Sequence, residues 1–265
     1  MKDSLSVLRA GLREMRGRVA RTLRQARKRA GEAEVHQLRV LTRRLRAVLR
    51  ILKPMPDAAP AQRAARRLRR LGRVLGRRRM WDVLIADMQG LYPDGARFEA
   101  RRDAATRSLV PALARFDAGK LDAELKAAGK LLRRMPPDTV ARRARKLRVP
   151  LQASLARPPA RMPARHALRI ELKKARYLLE ACGVAAAGAR RLQDLLGREH
   201  DLHVLQELAG ASARARRLEA QARAQADRAL RAALTETTGL LRALEREHDG
   251  TRAADASARR PARRP

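Results

Sequence analysis

Aromatic residues make up only 2% of this 265-residue chain, one Trp, two Tyr and two Phe. That leaves little for a base-stacking platform and argues against sequence-selective single-strand recognition. Cys182 is the only cysteine, so an internal disulfide is excluded and a reducing compartment fits. No stretch approaches the roughly 20 apolar residues of a membrane span. The best candidate, Leu178 to Ala189, is interrupted by Glu180 and by glycines. Residues Met1 to Met15 lack the continuous apolar core of a secretory signal. The expectation is a soluble, cytoplasmic protein without a membrane partner. Strand-like alternation and Asn-Gly hairpin signals are missing too.

Carboxylates are also scarce: 27 Asp+Glu stand against 63 Lys+Arg, for a formal net charge of +36. Such an excess goes beyond what solubility needs and predicts a polyanionic partner. Hydrophobic residues still account for 45% of the chain, enough for a buried core, so this is no disordered basic protein. Enzyme signatures are absent: no Gly-rich phosphate loop, no His-Glu-x-x-His, no Cys/His cluster. Glu199-His200-Asp201-Leu202-His203 brings two histidines together, but no third ligand is evident, so neither metal nor cofactor is expected.

What is present is a succession of amphipathic helices, an all-α fold. Leu5, Leu8, Leu12, Met15, Val19 and Leu23 recur at helical spacing, closed by Gly31. A second helix opens at Glu32 or Glu34 and stops at Pro54 and Pro56. The pattern predicts a third helix from Pro60 to Leu75, ended by Gly76, and a fourth from Met80 to Leu91, before a turn at Tyr92-Pro93-Asp94-Gly95. Helices follow over 97–117, 120–134 and 138–157, then a hinge from Pro158 to Pro163, a helix to Ala181, one over 187–197, and a long pair from 200 to 247. Residues 249–265, rich in Arg, Ala and Pro, read as a disordered basic tail.

One helical pattern is written twice. His36-x-x-Arg39-x-x-x-Arg43-Arg44-x-Arg46 returns 130 residues later as His166-x-x-Arg169-x-x-x-Lys173-Lys174-x-Arg176. A second element, Leu75-Gly76-Arg77, returns 121 residues later as Leu196-Gly197-Arg198. Two elements in the same order in both halves predict a duplication. The expected architecture is two four-helix-type bundles, about 1–135 and 138–248, related by a pseudo-two-fold axis.

With His36 at 0° on its helix, Arg39, Arg43, Arg46 and Arg50 fall within about 280° to 340°, one cationic band. Leu38, Leu41, Leu45, Val48, Leu49 and Leu52 take the other side, as do Leu168, Leu172, Leu178 and Leu179 in the second copy. Solvated faces ordinarily mix signs, because like charges at i,i+3 and i,i+4 repel. A band of four cations without an acid therefore points to an anion. Guanidinium forks suit bidentate phosphate contact, and His can donate from either ring nitrogen. Glu180 stands where the first copy has Arg50, so the second band is expected to end sooner and hold the anion less strongly.

The arrangement resembles the CHAD family (conserved histidine α-helical domain). The residues that carry the resemblance are Val35-His36-Gln37-Leu38-Arg39 with Arg43-Arg44-Leu45-Arg46, His166-x-Leu168-Arg169 with Lys173-Lys174-x-Arg176-Tyr177, and Leu192-Gln193-Asp194-Leu195-Leu196-Gly197-x-x-His200-Asp201. It spans the chain to about residue 245 and implies a CHAD domain over 1–248. The resemblance implies non-enzymatic binding of inorganic polyphosphate in a basic groove, with scaffolding at or targeting to polyphosphate granules. It also implies the ligand set His36, Arg39, Arg43, Arg44, Arg46, His166, Arg169, Lys173, Lys174 and Arg176, with Arg79 at the family's basic position after the Gly; the band itself adds Arg50. Met80 stands where the family commonly has Asp, and His200 where it has Asn. The alternative is a nucleic-acid-binding protein using the same basic surface non-specifically.

Overall fold

The computed structural model describes residues 4–88, 96–136, 138–210 and 212–258, all in helices and short connections. The helices are α1 (Ser4–Lys28), α2 (Glu32–Ile51), α3 (Ala59–Met88), α4 (Ala96–Ala114), α5 (Ala118–Arg133), α6 (Asp138–Ala156), α7 (Met162–Ala181), α8 (Ala187–Ala209) and α9 (Ala213–Ala258). Among the described residues there is no strand, and no helix is long and apolar enough to cross a membrane. The all-α expectation holds.

Amphipathic burial sets these helices. The leucines read as the apolar side of α2 are buried, Leu38, Leu45 and Leu52 completely, and so are Leu168, Leu172, Leu178 and Leu179 of α7. Charge complements the helix ends: Glu32 and Glu34 open α2, and Arg27 and Lys28 close α1. Asp117 caps α5 by accepting from the Lys120 N–H at 2.8 Å. α1 packs on α2 and α5, α2 on α3, and α3 on α4 and α5; α6 packs on α7 and α9, and α8 on α7 and α9. Contacts between α2 and α7, and between α3 and α8, join these two groups, and one apolar cluster runs through both.

Three boundaries differ from the sequence expectation. Gly76 does not end a helix: α3 continues from Ala59 to Met88. A mid-helix glycine costs only about 1 kcal/mol, and Leu68, Leu71, Leu75, Trp81 and Leu84 bury one face on both sides of it. Gly197 likewise lies inside α8, which runs through residue 200 to Ala209. What stops α8 is Gly210, whose φ of 88° with ψ of 156° is a backbone conformation that glycine adopts without a Cβ clash. The expected pair from 200 to 247 is thus the end of α8 followed by α9 alone. Finally, α9 continues to Ala258, ten residues into the segment read as a disordered tail. Four of its last seven residues are alanine, the strongest helix former. Residues 259–265 and the turn at 92–95 lie outside the described residues.

Buried ion pairs tie the helices. Arg165 of α7 grips Glu199 of α8 through three hydrogen bonds of 2.7 to 2.9 Å and Asp227 of α9 at 2.6 Å. Arg165 and Glu199 are 2% and 1% exposed, so this pair fixes α8 against α7. Glu245 of α9 accepts from Arg148 of α6 at 2.7 Å, and Glu124 of α5 accepts from Arg67 of α3 at 3.2 Å. Cys182 is buried, which pushes its thiol up to about 12 and leaves it inert.

Candidate anion-binding site

α2 and α7 pack against each other, and their cationic stripes meet across that seam. Arg39 is acted on by Arg43 of its own helix, Arg79 of α3 and Arg169 of α7. Lys173 of α7 is acted on by Arg169 and by Arg43 and Arg39 of α2. Residues 134 apart in sequence, Arg39 and Lys173, therefore belong to one cluster. Among the described residues no carboxylate lies within ion-pair distance of Arg39, Arg43, Arg169 or Lys173. Asp194 and Asp201 influence Arg169 without pairing with it.

Crowding and burial show in the protonation equilibria. Burial, then Arg43, Arg79 and Arg169, pulls Arg39 down to about 10. Burial, then Arg169, Arg43 and Arg39, pulls Lys173 down to about 7. His36 and His166 are lowered chiefly by burial, then by neighbouring cations, Arg79 for the first and Arg169 for the second. Cations crowded in this way resist holding all their protons, and a negative guest relieves them.

Not every residue of the repeated pattern joins this cluster. Glu180 collects three arginines: Arg176 at 3.3 Å, Arg190 at 3.2 Å and Arg44 at 3.8 Å. Arg176 also lies over the Tyr177 ring, 4.6 Å from its centroid, and it still acts on Lys173. Arg44 thereby lines a different feature, a groove of about 1190 Å³ between α1, α2 and α7. Lys174 pairs with Glu171 of its own helix, and Arg79 pairs with Glu32 at the start of α2. Arg79 nevertheless acts on both His36 and Arg39, so it stands at the edge of the cluster. Arg46 and Arg50 extend the band along α2. They meet Arg69 of α3, while Arg143 of α6, acted on by Arg50 and Glu171, flanks them.

Sequence reading missed four contributors. Arg69 and Arg143 sit outside both repeats and only the packing of α3 and α6 on α2 reveals them. Gly197 has a role that its sequence could not show: a Cβ there would lie 3.3 Å from an Arg169 guanidinium nitrogen, so the missing side chain lets the guanidinium lie close on α8. Its counterpart Gly76 has nothing within 4 Å. The fourth is His200 of α8, whose ring stands 4.5 Å from that of His166. In Glu199-His200-Asp201-Leu202-His203 the groups go separate ways: Glu199 to Arg165, and His203 to Glu219 at 3.2 Å and Glu207 at 3.4 Å. No group of three His, Cys, Asp or Glu among the described residues is placed to hold a metal ion.

Comparison with known proteins bears on this geometry. A family model described as "CHAD domain" matches residues 6–210. The CHAD domain from the plant Ricinus communis, a crystal structure, is similar with a TM-score of 0.63 and 23% identity, over 93% of this chain and 91% of that one. PptA from Streptomyces chartreusis is similar with a TM-score of 0.60 and 15% identity, over 93% of this chain and 99% of that one. At these identities the two structures speak for the fold. No curated protein sequence matches the chain.

Proposed function

The chain belongs to the CHAD domain family, and from that premise and its unpaired cation cluster we propose that it binds inorganic polyphosphate without turning it over. The observation that carries the reading is the convergence of Arg39 and Arg43 with Arg169 and Lys173 across the α2–α7 seam, with no carboxylate pairing any of them among the described residues. A linear polyanion lying along the seam relieves the mutual repulsion of both stripes at once. Arg39, Arg43 and Arg169 supply forks for phosphate oxygens, Lys173 a compact charge, and His36 and His166 ring N–H donors. Arg46 and Arg50 carry the chain along α2, which advances about 21 Å between His36 and Arg50 at ~1.5 Å per residue.

Two half-sites on one ligand raise affinity through effective concentration, and displaced counterions make binding salt-dependent. The matching order of motifs on α2–α3 and α7–α8 supports a duplicated, pseudo-two-fold pair of bundles as the origin of the two half-sites. Phosphoryl chemistry ordinarily relies on carboxylates that hold divalent metal beside the phosphates, and among the described residues none pairs with Arg39, Arg43, Arg169 or Lys173. The cellular role that fits is a cytoplasmic scaffold or an adaptor to polyphosphate granules. Replacing His36, Arg39 and Arg43 together by alanine tests this. Polyphosphate binding should fall at least a hundredfold with the helical signal and melting temperature retained, whereas binding equal to that of the parent protein sinks the assignment.

A further inference from the structure

His200 belongs to neither repeated stripe, yet its ring is tilted 47° against that of His166 at a centroid distance of 4.5 Å. The Nδ1 atoms of both rings are closed off from solvent and meet no hydrogen-bond partner, and the same holds for Nε of Arg169. The charged groups that act on His200 are His166, Arg169 and Lys173 from α7 and His203 from α8 itself. The carboxylates nearby on α8 and α9 are engaged: Glu199 and Asp227 by Arg165, and Glu219 by His203 and Gln206. Asp201 and Asp194 act on Arg169. α3 also packs on α8 but brings no charged group to bear on His200.

Every neighbour acting on His200 thus opposes its protonation. Burial first, then His166 and Arg169, pushes it down to about 4, and His166 is lowered by burial and then by Arg169 and Lys173. Two neutral rings with idle nitrogens, set among cations, form a poor resting arrangement. They become a good one when an anion reverses the local field, because each protonated ring then donates to a phosphate oxygen.

We propose that His200 joins His166 as a proton-loaded clamp at the α7–α8 side of the anion site, so that capture of a polyphosphate chain carries protons into the protein. The proposal rests on the polyphosphate reading given above. Its sign follows from linkage. A bound anion raises the affinity of both rings for protons, so polyphosphate affinity climbs as pH falls through their bound-state values and levels off below their empty-site values. The slope is ~tenfold per pH unit for each proton taken up. Lys173 works in a higher window, because its empty-site value is about 7; near pH 5.5 it is charged before and after binding.

Calorimetric titration with long-chain polyphosphate at pH 5.5, in two buffers of different ionisation heat, counts the protons. The parent protein should take up protons, while His200→Asn and His200→Gln each take up fewer. The affinity of either variant should fall about tenfold at pH 5.5, and the loss should shrink towards pH 8. Equal uptake in parent and both variants overturns the clamp. Duplex DNA in a parallel arm separates the two claims. If DNA binds, polyphosphate does not, and the His200 variants lose proton uptake on DNA, the polyphosphate reading fails and the clamp stands. Binding of neither anion overturns both.

Discussion

Lys173→Met removes a cation that the folded protein holds against burial and against Arg169, Arg43 and Arg39. An ordinary lysine titrates near 10.5, and in the fold this one is pulled to about 7. Between those values the unfolded chain keeps a proton that the folded chain has released. Stability of the anion-free protein therefore rises with pH from about 7 towards 10.5, and this group adds no slope below 7. Each unit of separation is worth about 1.4 kcal/mol, and half of the first unit is lost while Lys173 is still titrating. The step from pH 7 to pH 9 then contributes about 2 kcal/mol, or ~4–8 °C in melting temperature for a chain of this size. Differential scanning calorimetry in phosphate-free buffer should show the parent gaining that much more than Lys173→Met over the interval. At pH 7 the variant should also melt higher than the parent. Saturating polyphosphate should cancel the parent's rise, because the anion restores the proton to Lys173. Parallel pH profiles for parent and variant would refute the reasoning, since Lys173 would then be an ordinary solvated lysine.

Gly197→Ala should separate binding from stability. The new methyl lies 3.3 Å from the Arg169 guanidinium, whose flexible end must move, so affinity for polyphosphate should drop several-fold in a filter or anisotropy assay. Melting temperature should hold or rise slightly, because alanine is the better helix former by about 1 kcal/mol. Arg165→Met should do the reverse. It leaves Glu199, 1% exposed, as an uncompensated buried charge, at a cost of about 3–5 kcal/mol in chemical denaturation, and a loss under 1 kcal/mol would contradict the structural role given to that pair. On the acid side, His36, His166 and His200 are all lowered. The unfolded chain binds their protons first, so anion-free stability should decline as pH falls below 6.5, and a His200→Asn melt should decline less.

The apolar faces of α2 and α7 were legible in the sequence because burial obeys the 3.6-residue period, and every leucine assigned to them is buried. The convergence of the two stripes was legible only as symmetry; the contact of α2 with α7 that joins Arg39 to Lys173 is a tertiary fact. Helix ends at Gly76 and Gly197 were misread for one reason. A glycine's local cost is about 1 kcal/mol, whereas Trp81, Leu84, Leu202 and Leu205 beyond those glycines are all buried. Within a stripe, periodicity could not sort the cations, because which of them faces a carboxylate depends on another helix. Arg44 is turned to Glu180 of α7, and Arg79 to Glu32 of α2. His200 stood out in sequence as a departure from the family's pattern, but its nearness to His166 needed the packing of α8 on α7.

The cluster of Arg39, Arg43, Arg169 and Lys173 on the α2–α7 seam is proposed to select a flexible linear polyphosphate. Its most direct test is displacement of labelled long-chain polyphosphate from the purified protein by duplex DNA at equal phosphate concentration and physiological salt. Polyphosphate should stay bound, and the His36, Arg39 and Arg43 triple variant should never hold it. Displacement by DNA at parity, with the triple variant binding as the parent does, would contradict it and leave a general basic surface in its place.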